Sequence, residues 1–427
     1  MQYIRQFNQI TIKDVPFVGG KTASLGQMMN ELRNKGITIP DGFAITADAY
    51  WLFVRENNLE STITQLLSKI SDRTSLEELQ KVGASIREHI IKSKLPPVLK
   101  SEIETAYDQL SKEYKEKDCT VAVRSSATAE DLPGASFAGQ QETFLNVKGK
   151  EELERACVAC FASLFTDRAI TYRIEKKFDH MKIALSIAVQ KMIHADTGCS
   201  GVMFTLDTES GFKDVVIINA SWGLGEAIVQ GLVTPDEFWV HKPTFLKGFK
   251  PLIKKQLGSK DLKMVRGSDK YKTVVSTKTS PAEQNSFCLS DQDVFDLTRM
   301  GIIIEEHYSN LNKHWTPMDI EWAKDGDDGK LYIVQARPET VHAAHQKIAV
   351  TTYELNQTEP PKIITQGMSI GQSIASGPVR IVKTIHDVVT FNQGDILVAP
   401  MTDPDWLPLM KKAAGLITQE GGRTSHA

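Results

Sequence analysis

The stretch "TQEGGRTSHA" sets an arginine, two hydroxyls and a histidine directly after a glycine pair. A neutral imidazole is a competent nucleophile near pH 7, because its reference pKa is about 6.5. A phosphoryl group carried on His426 would need donors for its oxygens. Arg423, Thr424, Ser425 and the amides after Gly421-Gly422 are of the right type to supply them. A histidine near a frayed chain end fits the same letters.

A second stretch, "VAVRSSATAEDLPGASFAGQQETF", places Arg124 at the end of an apolar run and at the head of a loop of small residues. A guanidinium grips phosphate as a fork, and Ser125, Ser126 and Thr128 add hydroxyls. Gly134 and Gly139 let backbone amides approach a ligand, so "ASFAG" reads as a flexible lid. In "FVGGKTASLG", Gly20-Lys21-Thr22 resembles the end of a P-loop. That motif needs a glycine five residues before Gly20, where Val15 stands, so the spacing excludes it. Two readings stay open: a helix start that favours an anion beside Lys21, and a glycine turn with a solvated lysine.

The fourth stretch is "PMDIEWAKDGDDGKLYIVQARP". Its "KDGDDGK" between two alternating runs predicts a hairpin. By the period-two rule Asp319 and Glu321 share one face of the first strand, and Leu331, Ile333, Gln335 and Arg337 share one face of the second. Were those faces to coincide, a carboxylate, an amide oxygen and a guanidinium would converge. Such a set suits magnesium and a triphosphate tail, and a solvent-facing polar hairpin is the other reading.

These groups must be held by folded elements, and the composition allows that. The chain has 427 residues, 41% hydrophobic and 24% charged, with a formal net charge of −3. That gives no bulk electrostatic case for nucleic acid or membrane. No basic, apolar leader opens the chain, and no run of about 18 apolar residues spans a bilayer. Five cysteines fit a reducing cytoplasm better than a disulfide scaffold. Cys157 and Cys160 form a C-x-x-C inside "EELERACVACFASLF", an amphipathic helix pattern; without a second pair they read as core residues.

Residues 1–115 read mainly helical. A helix opens after the glycine pair, carries Leu25, Met28, Met29 and Leu32 on helical spacing, and closes at Gly36. Beyond residue 119 the texture turns to short β-branched runs between helices, an α+β pattern. A polar stretch at 343–362 reads as a linker, and residues 363–427 alternate strand, helix and strand. In "VVIINASWGLGEAIVQG" a strand leads through a tight turn to a helix; its lone G-x-G is too short for a dinucleotide fingerprint.

Taken together, "VGGKTASLGQM", "VAVRSSATAEDLPGASFAGQQETFLNV", "FASLFTDRAITYR", "SWGLGEAIVQGLVTPDEFWVHKP", "MTDPDW" and "GGRTSHA" resemble the phosphoenolpyruvate synthases. These belong to a larger group with pyruvate phosphate dikinase and rifampicin phosphotransferase. The resemblance implies a mixed α+β and α/β multidomain fold. An ATP-grasp module at 1–342 would bind ATP with Mg2+, and a swivelling phosphohistidine domain would follow the linker at 363–427. It implies conversion of ATP, pyruvate and water to AMP, phosphoenolpyruvate and phosphate. By residue, it makes Lys21, Arg124 and Arg337 phosphate contacts, with Gly139, Thr143 and Gln190 around the nucleotide. It makes Glu321 and Gln335 the magnesium ligands and His426 the phosphoryl carrier. Thr424 matches the threonine modified by a regulatory kinase in bacterial synthases. Family chains run on into the rest of the swivelling domain and a TIM barrel that binds pyruvate. The expectation is therefore an N-terminal part of such an enzyme, with that barrel absent. A rifampicin phosphotransferase-like part and a non-catalytic nucleotide-binding subunit are the alternatives.

Overall fold

The computed structural model describes residues 2–71, 74, 76–128, 142–269, 272–339, 367, 369–371, 373–384, 391–402 and 406–419. The chain divides into two compact units. The first comprises residues 1–193, 266–275 and 332–337, and the second comprises 194–265, 276–331 and 338–427.

The first unit is built on a five-stranded sheet. Its strands are β1 (Ile4–Gln6), β2 (Gly42–Ile45), β3 (Thr120–Ala127), β4 (Thr143–Lys148) and β5 (Leu185–Lys191), in the order β1-β2-β5-β3-β4. Every pairing in it is antiparallel. Directly opposed residues share a face, so the register sorts the side chains. Phe43, Ile45, Val121, Val123, Ile187 and Val189 fall on one face and join a large apolar core. That core is completed by α2 (Ala47–Glu56), α3 (Leu59–Leu67), α4 (Leu76–Lys92), α5 (Pro97–Glu113), α6 (Lys150–Ser163) and α7 (Asp167–Glu175). Cys157 and Cys160 are buried in α6, where desolvation pushes both thiols upward in pKa.

Helix α1 (Val15–Leu32) covers the opposite face of this sheet. Small residues there let it come close: Gly42, Ala44, Ala122 and Ala188 lie in register. The sequence places the helix start after the glycine pair. The structure instead starts it at Val15 and breaks it at Gly19 (φ 71°, ψ 165°), so a fresh helical segment begins at Gly20. The chain closes at Gly36 in the left-handed region, as the sequence predicts. Strands β1 and β2 were not expected within the helical first 115 residues. At three and four residues they are too short to show an alternating pattern.

The second unit holds β6 (Cys199–Phe204), β7 (Val215–Trp222), β8 (Asp236–His241), β9 (Leu252–Gln256) and β12 (Met318–Lys324). The sheet order is β13-β12-β6-β7-β8-β9, where β13 (Leu331–Pro338) is the strand whose residues 332–337 are counted with the first unit. Between β9 and β12 the chain makes a ribbon, β10 (Leu262–Asp269) with β11 (Lys272–Lys278). The turn after β12 closes through Asp325 N to Lys330 O at 2.9 Å, as expected of the hairpin. Short helices α8 (Glu226–Val229), α9 (Lys242–Phe245) and α10 (Pro281–Gln284) precede the long α11 (Asp291–Asn312). Two buried ion pairs brace this unit. Lys242 Nζ donates to both oxygens of Glu305 (2.9 and 2.7 Å) and to Thr205 O. Lys260 Nζ donates to Asp236, and both side chains are fully enclosed. A separate three-stranded parallel sheet, β14 (Val379–Ile381), β15 (Ile396–Ala399) and β16 (Gly415–Thr418), packs Val382, Phe391, Leu397 and Trp406 into a small core.

Candidate nucleotide-binding site

In the first unit the polar residues gather on the face under α1. Arg124 opposes Ala188, Ser126 opposes Ser186, and Gln190 opposes Ala122. Thr143 pairs with Arg124 from the other side, so it shares this face, and it is exposed. Gln190 is almost fully buried, and its Nε2 has no hydrogen-bond partner. The break at Gly19 rests on the end of β3: a Cβ at Gly19 would lie 2.2 Å from Ser126 Oγ and 2.8 Å from Ser126 O. That contact sets Lys21, half-buried in the first turn after the break, on the element adjoining the arginine strand. A helix start presents free N–H groups, which favour an anion.

The segment 332–337 belongs to the same unit and is tied to it from three sides. Ile333 N donates to Thr38 O at 2.9 Å, Ser24 Oγ donates to Ala336 O at 2.7 Å, and Arg124 Nη1 reaches Val334 O at 3.5 Å. Gln335 is buried and Arg337 half-buried within it. Lys21, Arg124, Gln190, Thr143, Gln335 and Arg337 are thus all carried by one unit.

Glu321 is carried by the second unit. It is half-buried on β12, opposite Val202. The register extends that row through Asn219 on β7 and Glu237 on β8. Glu237 accepts from Lys254 Nζ at 2.5 Å and Trp239 Nε1 at 2.8 Å. Asn219 Oδ1 and Ser221 Oγ, on the same face, are buried without partners. The sequence reading passed over Asn219, Ser221 and Glu237. Their signal was the period-two alternation of "VVIINASW", which puts Asn219 and Ser221 on one side of the strand. The opposite face is apolar, with Ile320 and Trp322 on β12 and Met203 lying against Gly301 of α11.

Among the described residues no three His, Cys, Asp or Glu cluster as a metal site. Magnesium does not need one, since it takes one or two carboxylates plus phosphate oxygens. The oxygen donors Glu321 and Gln335 are of a type that fits it. Gly139 and its lid, the linker at 343–362, and Thr424 and His426 lie outside the described residues. No helix of the described residues is long and apolar enough to cross a membrane.

Residues 15–357 match the family model for the pyruvate phosphate dikinase AMP/ATP-binding domain, and residues 391–427 match that for the mobile domain of PEP-utilising enzymes. The chain is 51% identical to the phosphoenolpyruvate synthase of Helicobacter pylori, over all of this chain and 53% of that protein. It is 49% identical to that of Aquifex aeolicus, over 98% of this chain and 49% of the relative. For the Escherichia coli enzyme the identity is 47%, over 99% and 52%. The chain therefore spans about half the length of the curated relatives it matches.

Proposed function

The chain belongs to the pyruvate phosphate dikinase AMP/ATP-binding domain family, and on that premise we propose that it is the ATP-binding part of a phosphoenolpyruvate synthase. One observation carries the reading: Arg124, Gln190, Ser126 and Thr143 share the sheet face that the glycine-broken start of α1 adjoins. Lys21, Arg124 and Arg337 hold the phosphates, with Gly139, Thr143 and Gln190 around the nucleotide, in an ATP-grasp module spanning 1–342. Glu321 and Gln335 hold Mg2+, which when bound neutralises phosphate charge. The cationic side chains orient the triphosphate, and Gln190 offers an amide to the nucleotide.

In the whole enzyme ATP, pyruvate and water give AMP, phosphoenolpyruvate and phosphate. His426, within a swivelling domain at 363–427, would carry the phosphoryl group. Phosphorylation of Thr424 would set negative charge two residues from it and repel the incoming group. Two-anhydride cleavage suits an uphill product, because an enol ester must be trapped.

Calorimetry tests the binding. The chain should release or absorb heat with ATP and magnesium, and no heat at millimolar ligand refutes the proposal. Arg124→Met should weaken ATP at least tenfold, in line with loss of a charge-assisted bidentate contact of about 1.5–3 kcal/mol. Glu321→Gln should instead reduce the dependence of affinity on magnesium.

A further inference from the structure

Arg173, on α7, is fully buried in the first unit. Its Nε donates to His180 Nδ1 at 2.8 Å, and the guanidinium carbon stands 5.4 Å from the centre of the Phe165 ring. Both terminal nitrogens, Nη1 and Nη2, are buried with no acceptor. A guanidinium carries five N–H donors, so four of them are unmet here.

Among the described residues no carboxylate neutralises it. Asp167 on the same helix is taken by Arg87 at 2.8 Å, and Asp179 pairs with Lys182 at 3.7 Å. Burial and the neighbouring cation push His180 down to about 4, so its imidazole is neutral at pH 7 and accepts from Arg173 at Nδ1 without offsetting the charge. Burial raises the Tyr50 hydroxyl, which therefore stays protonated. Burial lowers Arg173 itself only to about 10, so it keeps its charge. A lone cation in an apolar interior is strongly disfavoured; buried charges in folded proteins are paired.

We propose that Arg173 holds a small monovalent inorganic anion, gripped by the two Nη groups and bordered by Phe165 and Tyr50. One N–H from each Nη can angle toward a single ion seated between them, and each such bond is charge-assisted. The aromatic walls favour an ion that sheds water readily, such as a halide. This site is independent of the ATP reading, since Arg173 lies on the helical side of the sheet and not on the face under α1.

The test is thermal unfolding of the full chain in sodium chloride against sodium gluconate at equal ionic strength. Chloride should raise the melting temperature saturably, by about 5 °C at full occupancy, and gluconate should not. Arg173→Met should abolish the difference. Identical curves in the two salts, or a chloride-specific rise that survives in Arg173→Met, overturn the proposal. Should that variant not fold, crystals of the unmodified chain soaked in bromide decide it. An anomalous peak within hydrogen-bond distance of both Nη atoms supports the anion, and an ordered water there instead overturns it.

Discussion

Replacing Gly19 with alanine should be far more damaging than its size suggests. At φ 71° and ψ 165° the backbone occupies a region that only glycine visits without strain. A residue with a Cβ there costs about 1–3 kcal/mol. The new Cβ would also sit 2.2 Å from Ser126 Oγ, 2.8 Å from Ser126 O and 2.9 Å from Ala127 O. The hydroxyl can rotate away, but the two carbonyls are fixed in β3 and cannot. Overpacking of that kind adds about 1–3 kcal/mol, which makes the total about 4 kcal/mol. Gly36 provides the control. It too has positive φ, at 86°, but a Cβ there would meet nothing within 4 Å. Gly36→Ala should therefore cost only the conformational term, about 1 kcal/mol. Urea unfolding of both variants reads the difference, expected to be about 3 kcal/mol by subtraction of those estimates. Calorimetry should also find ATP binding weakened in Gly19→Ala and unchanged in Gly36→Ala, because only the first lifts the start of α1 off the strand carrying Arg124. Equal stability losses, within about 1 kcal/mol, would refute the steric account.

In the second unit, Lys260→Met should destabilise by about 3–5 kcal/mol, because it leaves the enclosed Asp236 carboxylate with only neutral donors. Those donors are Gly258 N, Cys288 N and Cys288 Sγ; an unchanged midpoint in urea would count against the pair as a brace. At acid pH, Glu283 should matter. Its bond from Lys263, with those from Ser280, depresses it to about 2. A depressed carboxylate contributes stability above its unfolded pKa of about 4.5 and loses it as pH falls toward 2. Solvent screening limits this contribution to about 1 kcal/mol. Glu283→Gln should flatten that part of the stability profile, and a profile that stays as steep would remove Glu283 as the cause.

The elements whose patterns repeat were legible in the sequence. Leu25, Met28, Met29 and Leu32 announced α1, and all are buried. "KDGDDGK" announced its hairpin, and alternation put Leu331, Ile333 and Gln335 on one face, where all three are buried. What stayed illegible depends on long-range partners. Gly42–Ile45 is a central strand buried on both faces, so it shows no alternation to read. Lys260, in "QLGSKDLK", looks like a solvated loop cation. Its burial is fixed by Asp236, 24 residues earlier, and no local pattern encodes that. The break at Gly19 was half legible: the glycine pair marked it, but only the packing against β3 shows which glycine cannot be replaced.

Satisfaction of buried polar groups separates scaffold from site within each unit. An unmade buried hydrogen bond costs about 1–3 kcal/mol, so folded chains avoid it where nothing else intervenes. The bracing pairs obey this. Glu305 accepts from Lys242, Thr205 and Trp315, and Asp236 accepts from Lys260 and three further donors. Several unsatisfied atoms lie elsewhere, although Trp322 Nε1 is unsatisfied on the apolar face of the second sheet. Ser126 and Gln190 belong to the first sheet's face under α1, Thr22 is on α1 itself, and Asn219 and Ser221 share the second sheet's face with Glu321. The first of these faces carries the proposed nucleotide contacts Arg124 and Gln190, and the second carries the proposed magnesium ligand Glu321. Arg173 has the same signature but sits on the helical side of the first sheet, not on the face under α1. If unsatisfied burial marks ligand contact in this fold, Arg173 marks a ligand other than ATP, and the size of its unmet charge requires that ligand to be an anion.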